Sequence, residues 1–160
     1  MLDKILDNVL GTDVHTGFYF SLTIPGIIGG VDAAFQEISG LSKELQVEEV
    51  VCGGENRFKY RLPTTTTFQN LVLKRGVTSR FSPLLIWCEA TLNHGFSFMN
   101  MPIFTYDIIV NLLNDEGEAC KSWLFVNAYP VKWSASELNS EKNTVFIETI
   151  ELAYHYFVPI

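Results

Sequence analysis

The first ten residues have the periodicity of an amphipathic helix. Their apolar side chains recur every three or four positions, at Leu2, Ile5, Leu6, Val9 and Leu10. This spacing places the apolar side chains on one face of a helix, and Gly11 is a typical residue after a helix end. Because so short a helix is marginal by itself, its apolar face needs a surface to pack on, either the core of the same domain or another subunit.

From Gly17 the apolar period becomes two, which is typical of half-buried β-strands. The first predicted strand alternates four apolar residues with polar ones, at Phe18, Phe20, Leu22 and Ile24. Pro25 and Gly26 end this strand, and Gly29 with Gly30 lengthens the turn that follows. We therefore place the boundary between an N-terminal extension (residues 1–16) and a strand-rich domain (residues 17–160) at this change of period.

A charged hairpin is predicted next. Its first strand alternates Leu45 and Val47 with the polar residues Glu44, Gln46 and Glu48, and the run VCGGEN supplies a Gly-rich turn. The return strand has an apolar face with Phe58, Tyr60 and Leu62. Its other face is basic, with Arg57, Lys59 and Arg61. Pro63 is predicted to end this strand, and the next strand, in FQNLVLKRG, closes at Gly76.

If the two strands pair, the acidic residues of the first lie across from the basic residues of the second. Opposite charges across paired strands stabilise the pair modestly. The residues concerned are Glu44, Glu48, Arg57, Lys59 and Arg61. Such a hairpin is either a charged surface ladder or an arm that meets complementary charge on another subunit, where charge sets register and partner choice.

One helix is predicted inside the domain. Ser82 is a suitable N-cap, Pro83 suits the first helical position, and Gly95 ends the last turn. Between them an apolar stripe is formed by Leu84, Trp87, Cys88, Thr91 and Leu92. The following FSFMNM has no clean period and is a loop or a short extra strand.

The C-terminal third returns to long strands. One strand has a single apolar parity at Phe104, Tyr106, Ile108, Val110 and Leu112. The turn signal of residues 114–117 joins it to a segment whose predicted apolar face is Trp123, Phe125, Tyr129, Val131 and Trp133, with Asn127 breaking the pattern. A final strand from about Asn143 to Phe157 is apolar on both faces. Antiparallel strands with short turns and one helix indicate a mainly β or α+β sandwich or barrel.

Composition narrows the class of protein. The chain has 160 residues, enough for one domain with a real core, and a net charge of −7, which argues against a phosphate-backbone binder. Three cysteines, an odd number, suit a reducing compartment. The N-terminus is too polar for a signal peptide, and the sequence has no apolar run long enough for a bilayer. We expect synthesis in the bacterial cytoplasm and no membrane insertion.

The sequence contains no convincing catalytic, cofactor or metal site. Gly53 and Gly54 lie between two predicted strands, so they fit a hairpin turn better than a phosphate loop. Cys88 and His94 fall on different faces of the predicted helix, so they do not form a metal pair. Glu48 and its neighbour in sequence point to opposite faces of one strand and do not converge on a substrate. We therefore expect a non-enzymatic protein that needs no cofactor.

Five runs, in this order, resemble the tail-tube protein family of contractile phages and phage-tail-like extracellular injection systems. They are FQEISGL, VEEV with its Gly-Gly turn, LPTTTTFQNLVLKRG, FVNAYPVKW and TVFIETIELAYHYF. No single run is diagnostic, but together they cover roughly Phe18 to Phe157. The resemblance implies two packed antiparallel sheets that form a barrel-like body with one flanking helix. It also implies a projecting hairpin, which by position is the charged hairpin at 44–62.

For function, the resemblance implies a homo-hexameric ring in which sheets of six subunits close around a channel. Rings then stack on adjacent tube rings, and the tube meets spike or baseplate proteins, with sheath as a further contact. The hairpin residues and the apolar positions Leu2, Ile5, Leu6 and Val9 are the expected inter-subunit contacts. No specific binding of nucleic acid is expected.

Two segments depart from the plain family pattern, namely the N-terminal amphipathic stretch and FSFMNM. Both suit contacts with something other than another copy, so we expect a spike-proximal, tube-initiating ring. The alternatives are the major repeating tube subunit and a monomeric ligand-binding β-barrel. A small enzyme on a β-barrel scaffold is disfavoured because no catalytic constellation is found.

Overall fold

The computed structural model describes residues 18–27, 29–76, 82–93, 102–136, 141 and 146–160. The predicted helix of residues 1–10 and the FSFMNM segment lie outside the described residues. Within the described ranges the chain forms ten strands and one helix. In chain order they are β1 (Tyr19–Thr23), β2 (Val31–Phe35), β3 (Glu37–Ser39), β4 (Lys43–Val50), β5 (Tyr60–Phe68), β6 (Leu71–Gly76), α1 (Pro83–Leu92), β7 (Tyr106–Leu113), β8 (Ala119–Ala135), β9 (Ile147–Ala153) and β10 (Tyr156–Pro159).

Eight strands form one antiparallel sheet, in the order β2-β1-β7-β8-β9-β6-β3, with β10 also paired to β8. The 17-residue strand β8 joins two parts of this sheet. Its beginning pairs with β7 and β10, and its end pairs with β9. We call β2-β1-β7-β8-β10 the first half-sheet and β8-β9-β6-β3 the second half-sheet. Strands β4 and β5 form a separate two-stranded sheet.

Both half-sheets and the helix contribute to a single apolar core. Its fully buried members come from strands of each half-sheet and from α1, and they include Leu22, Phe35, Leu71, Leu73, Leu84, Ile108, Val110, Phe125, Ile150 and Leu152. Alternating residues of these strands face inward, as in any sheet with one covered side. The two half-sheets therefore pack face to face. The described hydrogen-bonded ladder runs open from β2 to β3, so the mainly β class is confirmed without a closed barrel.

The helix begins as its sequence predicts. Ser82 is the N-cap, and its hydroxyl oxygen accepts a hydrogen bond from the backbone N–H of Leu85 at 3.2 Å. Pro83 occupies the first turn, where a missing N–H costs nothing. Leu84, Trp87 and Cys88 are buried against the sheet, and the indole N–H of Trp87 donates to the carbonyl oxygen of residue 104 at 2.9 Å. The predicted apolar stripe is confirmed at these three positions.

The predicted apolar face of β8 is interrupted between Asn127 and Val131. Asn127 has a left-handed backbone with φ of 51°, and the register with β7 shifts there. An irregular residue of this kind reverses the inside and outside parity of the positions after it. Consequently Ala128 is buried and Val131 is 38% exposed. A second register shift, between Pro130 and Lys132, returns Trp133 to the side of the sheet on which its cross-strand neighbour Ile150 lies.

Three other strand boundaries differ from prediction. β5 continues through Pro63 instead of ending there, because the strand lies in a two-stranded sheet where a missing N–H is tolerated. The predicted final strand is two strands, β9 and β10, interrupted at residues 154 and 155. β2 and β3 occupy a stretch in which the sequence pattern predicted no strand. The hairpin turn at 114–117 is confirmed.

Candidate assembly surfaces

The β4–β5 hairpin projects from the body. All eight residues of β4 are exposed, and so are all residues of β5 except its last, Phe68. The base of the hairpin is anchored, because the ring of Phe68 makes edge contacts with Tyr154 and Phe157. The ammonium group of Lys43 lies 4.5 Å from the centre of the Phe157 ring. A hairpin fixed at its base and exposed along its length is available to another subunit.

The pairing within the hairpin differs from the charge pattern expected from the sequence. Glu44 lies opposite Thr67 and Glu48 opposite Leu62, so the two predicted acidic residues share a face with apolar and hydroxyl side chains. Arg61 lies opposite Glu49. The predicted arrangement of Glu44 and Glu48 facing the basic residues is therefore wrong, since the register places a neighbouring glutamate there.

The other two basic residues precede β5 and pair with glutamates of the hairpin. Lys59 pairs with Glu49 at 3.3 Å, and Arg57 pairs with Glu55 at 2.9 Å. The side-chain hydrogen bond from Arg57, with a second from its backbone N–H, lowers the pKa of Glu55 below its usual range. The same carboxylate raises the pKa of Arg57. The hairpin end thus holds its charges in exposed local pairs that solvent screens.

The hairpin also exposes a group of large apolar side chains. They are Leu45, Val47, Val50, Val51, Phe58, Tyr60 and Leu62, each at least 36% exposed. On one face Tyr60 lies opposite Val50, and the rings of Phe58 and Tyr60 meet edge to face at 5.1 Å between centres. Exposed apolar groups in contact with one another mark interaction surfaces more often than scattered ones do.

The second half-sheet has two open edges. β3 pairs with β6 on one side and with no described strand on the other. The end of β8, from Val131 to Ala135, pairs with β9 but lies beyond the last position paired with β7. Unpaired strand edges present rows of free backbone N–H and C=O groups and invite pairing with another chain.

A buried ionic cluster joins the helix to both half-sheets. Arg75 is 1% exposed, and its guanidinium donates to Asp32 and Glu148 at 2.9 Å each and to the hydroxyl of Ser82 at 2.8 Å. Ser82 in turn donates to Asp32 at 2.9 Å, and the other oxygen of Asp32 accepts from the N–H of Leu84. The indole of Trp133 donates to the second carboxylate oxygen of Glu148 at 2.5 Å.

This cluster was missed in the sequence, although a signal for it exists. Arg75 shares the inward parity of Leu71 and Leu73 on β6, and Glu148 shares that of Ile150 on β9. A charged residue at a core position needs a buried partner of opposite charge. All four carboxylate oxygens of Asp32 and Glu148 accept hydrogen bonds from protein groups, which suits a structural role.

The described residues show neither a reactive buried cysteine nor a group of metal ligands. Cys88 is buried, and desolvation, with the nearby Glu148 carboxylate, raises the pKa of its thiol to about 12. A thiol with so high a pKa is a poor nucleophile. Among the residues described, no three His, Cys, Asp or Glu side chains are grouped as a metal site. Within the same ranges, no helix has the length and apolarity to cross a membrane.

Comparison with known proteins identifies relatives. The family described as T4-like virus tail tube protein gp19 matches residues 16–158. A solved structure described as the baseplate of the anti-feeding prophage (AFP), six-fold symmetrised, is 30% identical with a TM-score of 0.73, over 92% of this chain and 94% of that one. No curated protein sequence matches the chain.

Two further structures share the fold at lower identity. The sheath–tube complex of an extracellular contractile injection system (PVC), in the extended state, is 19% identical with a TM-score of 0.73, over 96% of each chain. The tube-terminating cap of AFP is 20% identical with a TM-score of 0.67, over 88% of this chain and 87% of that one.

Proposed function

We propose that this chain, which belongs to the T4-like virus tail tube protein gp19 family, is a structural, non-enzymatic subunit of the inner tube of a contractile injection system. Six copies form a ring around a channel. The observation that carries this proposal is the pair of open edges on the second half-sheet. An isolated domain gains nothing from leaving these edges unprotected, whereas a ring satisfies both.

The directions of the edge strands suit a closed ring. The second half-sheet has four strands, each antiparallel to its neighbour. Because four is even, β3 and β8 run in opposite directions. When β3 of one copy lies beside the end of β8 of the next, the junction is therefore antiparallel as well. Repetition of this head-to-tail contact closes a cyclic barrel and removes both edges of the second half-sheet.

Size determines which side of the half-sheet faces the channel. Six copies with four strands each, spaced about 4.8 Å apart, give a barrel with a radius of roughly 18 Å before strand tilt is included. Six domain bodies do not fit inside that radius. The core, the first half-sheet and the helix must therefore lie outside the barrel, and the solvent-exposed face of the second half-sheet lines the channel.

The hairpin supplies contact between stacked rings or between a ring and a spike. Its exposed apolar groups, including Tyr60 and Leu62, provide area, and its charged residues provide register. Glu44, Glu48, Arg57, Lys59 and Arg61 are all exposed in the single copy and free to exchange partners. Each such pair contributes little alone, but symmetry repeats the contribution in every subunit.

The finer proposal is a tube-initiating ring next to the spike or baseplate. The 30% identical relative belongs to a baseplate structure, whereas the relative from a sheath–tube complex is 19% identical. The apolar positions Leu2, Ile5, Leu6 and Val9 would fix the location by contact with a partner of another kind, each contributing about 1–2 kcal/mol when buried. The repeating tube subunit is the alternative. Copy number in purified particles separates them: one or two rings per particle fits an initiator, and a number that grows with particle length contradicts it.

The ring itself is tested at the open edge. Val131→Lys places a charge on the unpaired end of β8, a substitution that opposes edge pairing. We expect the variant to stay folded and monomeric under conditions in which the unmodified chain forms rings, measured by light scattering after size exclusion. The matched control is Ile160→Lys, at a residue that is 67% exposed and lies off both edges. Normal rings from Val131→Lys would contradict the proposed junction.

A further inference from the structure

The exposed face of the second half-sheet carries an ordered grid of polar side chains. Cross-strand register places eight of its outward-facing residues in two rows across β8, β9, β6 and β3. The first row is Lys132, Glu151, Val72 and Ser39. The second row is Ser134, Thr149, Lys74 and Glu37. Each row contains one lysine and one glutamate.

Within each row the opposite charges are neighbours. Lys74 and Glu37 are directly opposite in register and form an ion pair at 2.9 Å. Lys132 lies opposite Glu151, whose carboxylate also accepts a hydrogen bond from the amide of Asn70 at 2.9 Å. Together the two rows are neutral, because two lysines balance two glutamates. The chain, by contrast, carries a net charge of −7, so its acidity lies on other surfaces.

We infer that this face is a charge-balanced channel lining, which admits polypeptide segments regardless of the sign of their charge. The inference rests on the proposed ring. Each lysine is next to a glutamate across the strands, well within the Debye length of about 8 Å at physiological salt, so a passing solute meets alternating charges whose fields largely cancel. The hydroxyls of Ser39, Ser134 and Thr149 keep the two rows polar and hydrated between the charged residues.

The balance is easily broken, which makes the inference testable. Glu37→Gln with Glu151→Gln removes the negative charges with little change of shape and leaves about twelve uncompensated lysines in a ring of six. Lys74→Gln with Lys132→Gln does the opposite. All four side chains lie on the solvent side of the half-sheet, away from the core, so both double variants are expected to fold. Thermal unfolding checks this before assembly.

The experiment measures uptake by assembled tubes. Short Gly/Ser peptides that carry several lysines, several glutamates or neither are labelled with one fluorophore and mixed with tubes, and bound peptide is counted after removal of the free peptide. The same peptides fused to a globular protein too wide for the channel report binding to the outside, which is subtracted. Tubes are imaged beforehand, so failure to form rings is seen separately and contradicts the proposed function.

Unmodified tubes are expected to take up the three peptides equally. Tubes with both Glu37→Gln and Glu151→Gln should take up the acidic peptide roughly tenfold or more better than the basic one. Tubes with both Lys74→Gln and Lys132→Gln should prefer the basic peptide by a similar factor. The inference is overturned if unmodified tubes already select one sign inside the channel. It is also overturned if intact tubes of both variants show no preference, because the grid then does not line the channel.

Discussion

Arg75 and Arg57 are the same residue type in opposite settings. Arg75 is buried, and its guanidinium bonds to Asp32, Glu148 and Ser82 from three different segments of the chain. Arg57 is exposed and bonds to Glu55, two residues before it. The buried cluster ties the helix to both half-sheets. The exposed pair ties nothing distant together and leaves its charges accessible to another subunit.

Buried charges such as Arg75 maintain the fold, whereas exposed charges such as Arg57 are available for assembly. Removing one partner from a buried ion pair leaves an uncompensated charge inside the protein, which is strongly destabilising. Removing one partner from an exposed pair returns the other to water at little cost. Stability is therefore expected to depend on the body's charges, and ring-to-ring contact on the hairpin's.

The largest effect on stability is expected from Arg75→Met. This change leaves Asp32 and Glu148 buried without their cation, and we expect the free energy of unfolding to fall by about 3–5 kcal/mol. Chemical denaturation of the monomer measures it. Arg57→Met is the matched control and should change little. Equal losses from the two variants would contradict the comparison.

Alkaline pH should weaken the body next. The folded protein raises the pKa of the Cys88 thiol to about 12, so the folded state keeps a proton that the unfolded chain releases from its ordinary pKa near 9. Stability is then lost as the pH rises through that interval, and the raised pKa of the half-buried Tyr154 hydroxyl adds a loss of the same sign. Melting temperatures across this range should fall less steeply in Cys88→Ala, although its starting stability is lower. If the melting temperature of the variant falls as steeply with pH as that of the unmodified chain, the Cys88 thiol does not cause the loss.

A smaller loss is expected from Trp133→Phe. The indole of Trp133 is the donor to one carboxylate oxygen of Glu148, and a buried acceptor left without a donor costs about 1–3 kcal/mol. Trp123→Phe, at a half-buried tryptophan on the same strand, serves as the control for loss of ring area. Denaturation curves that coincide for the two variants would show that the hydrogen bond does not matter.

Substitutions of the basic residues in the hairpin should have the smallest effect on stability and the largest effect on assembly. Reversing Arg57, Lys59 and Arg61 to glutamate should leave the monomer's unfolding free energy nearly unchanged, because water screens these exposed charges. Stacking of rings should nevertheless be impaired. The charge-conserving triple Arg57→Lys, Lys59→Arg and Arg61→Lys is the control. If the reversed triple stacks normally in electron micrographs, the hairpin charges are only a surface ladder.

Local signals in the sequence were sufficient for the elements with strong end markers. Ser82 with Pro83 located the start of the helix, and the turn at 114–117 located the hairpin between β7 and β8. Alternation also separated the apolar and basic faces of the returning hairpin strand. In each case the signal is held within a few neighbouring residues, where side-chain chemistry and backbone geometry are directly linked.

What sequence reasoning missed depends on long-range geometry. The left-handed backbone at Asn127 reverses the parity of β8 until a second register shift after Pro130 restores it, and only the pairing with β7 and β9 reveals this. A proline would end a strand in the middle of a sheet but is tolerated in an exposed hairpin. The effect of Pro63 therefore depends on where its strand lies. The partners of Arg75 come from positions 43 and 73 residues away. The register of β4 and β5 likewise decided which glutamate faces Arg61.

Electron microscopy of the purified chain tests directly whether six copies form a ring around a channel. Samples at high concentration, alone and together with spike and tube partners, are imaged by negative stain and sorted by symmetry. We expect six-fold rings with a central channel, single or stacked. A chain that remains monomeric in every one of these samples, while folded by thermal unfolding, would contradict it.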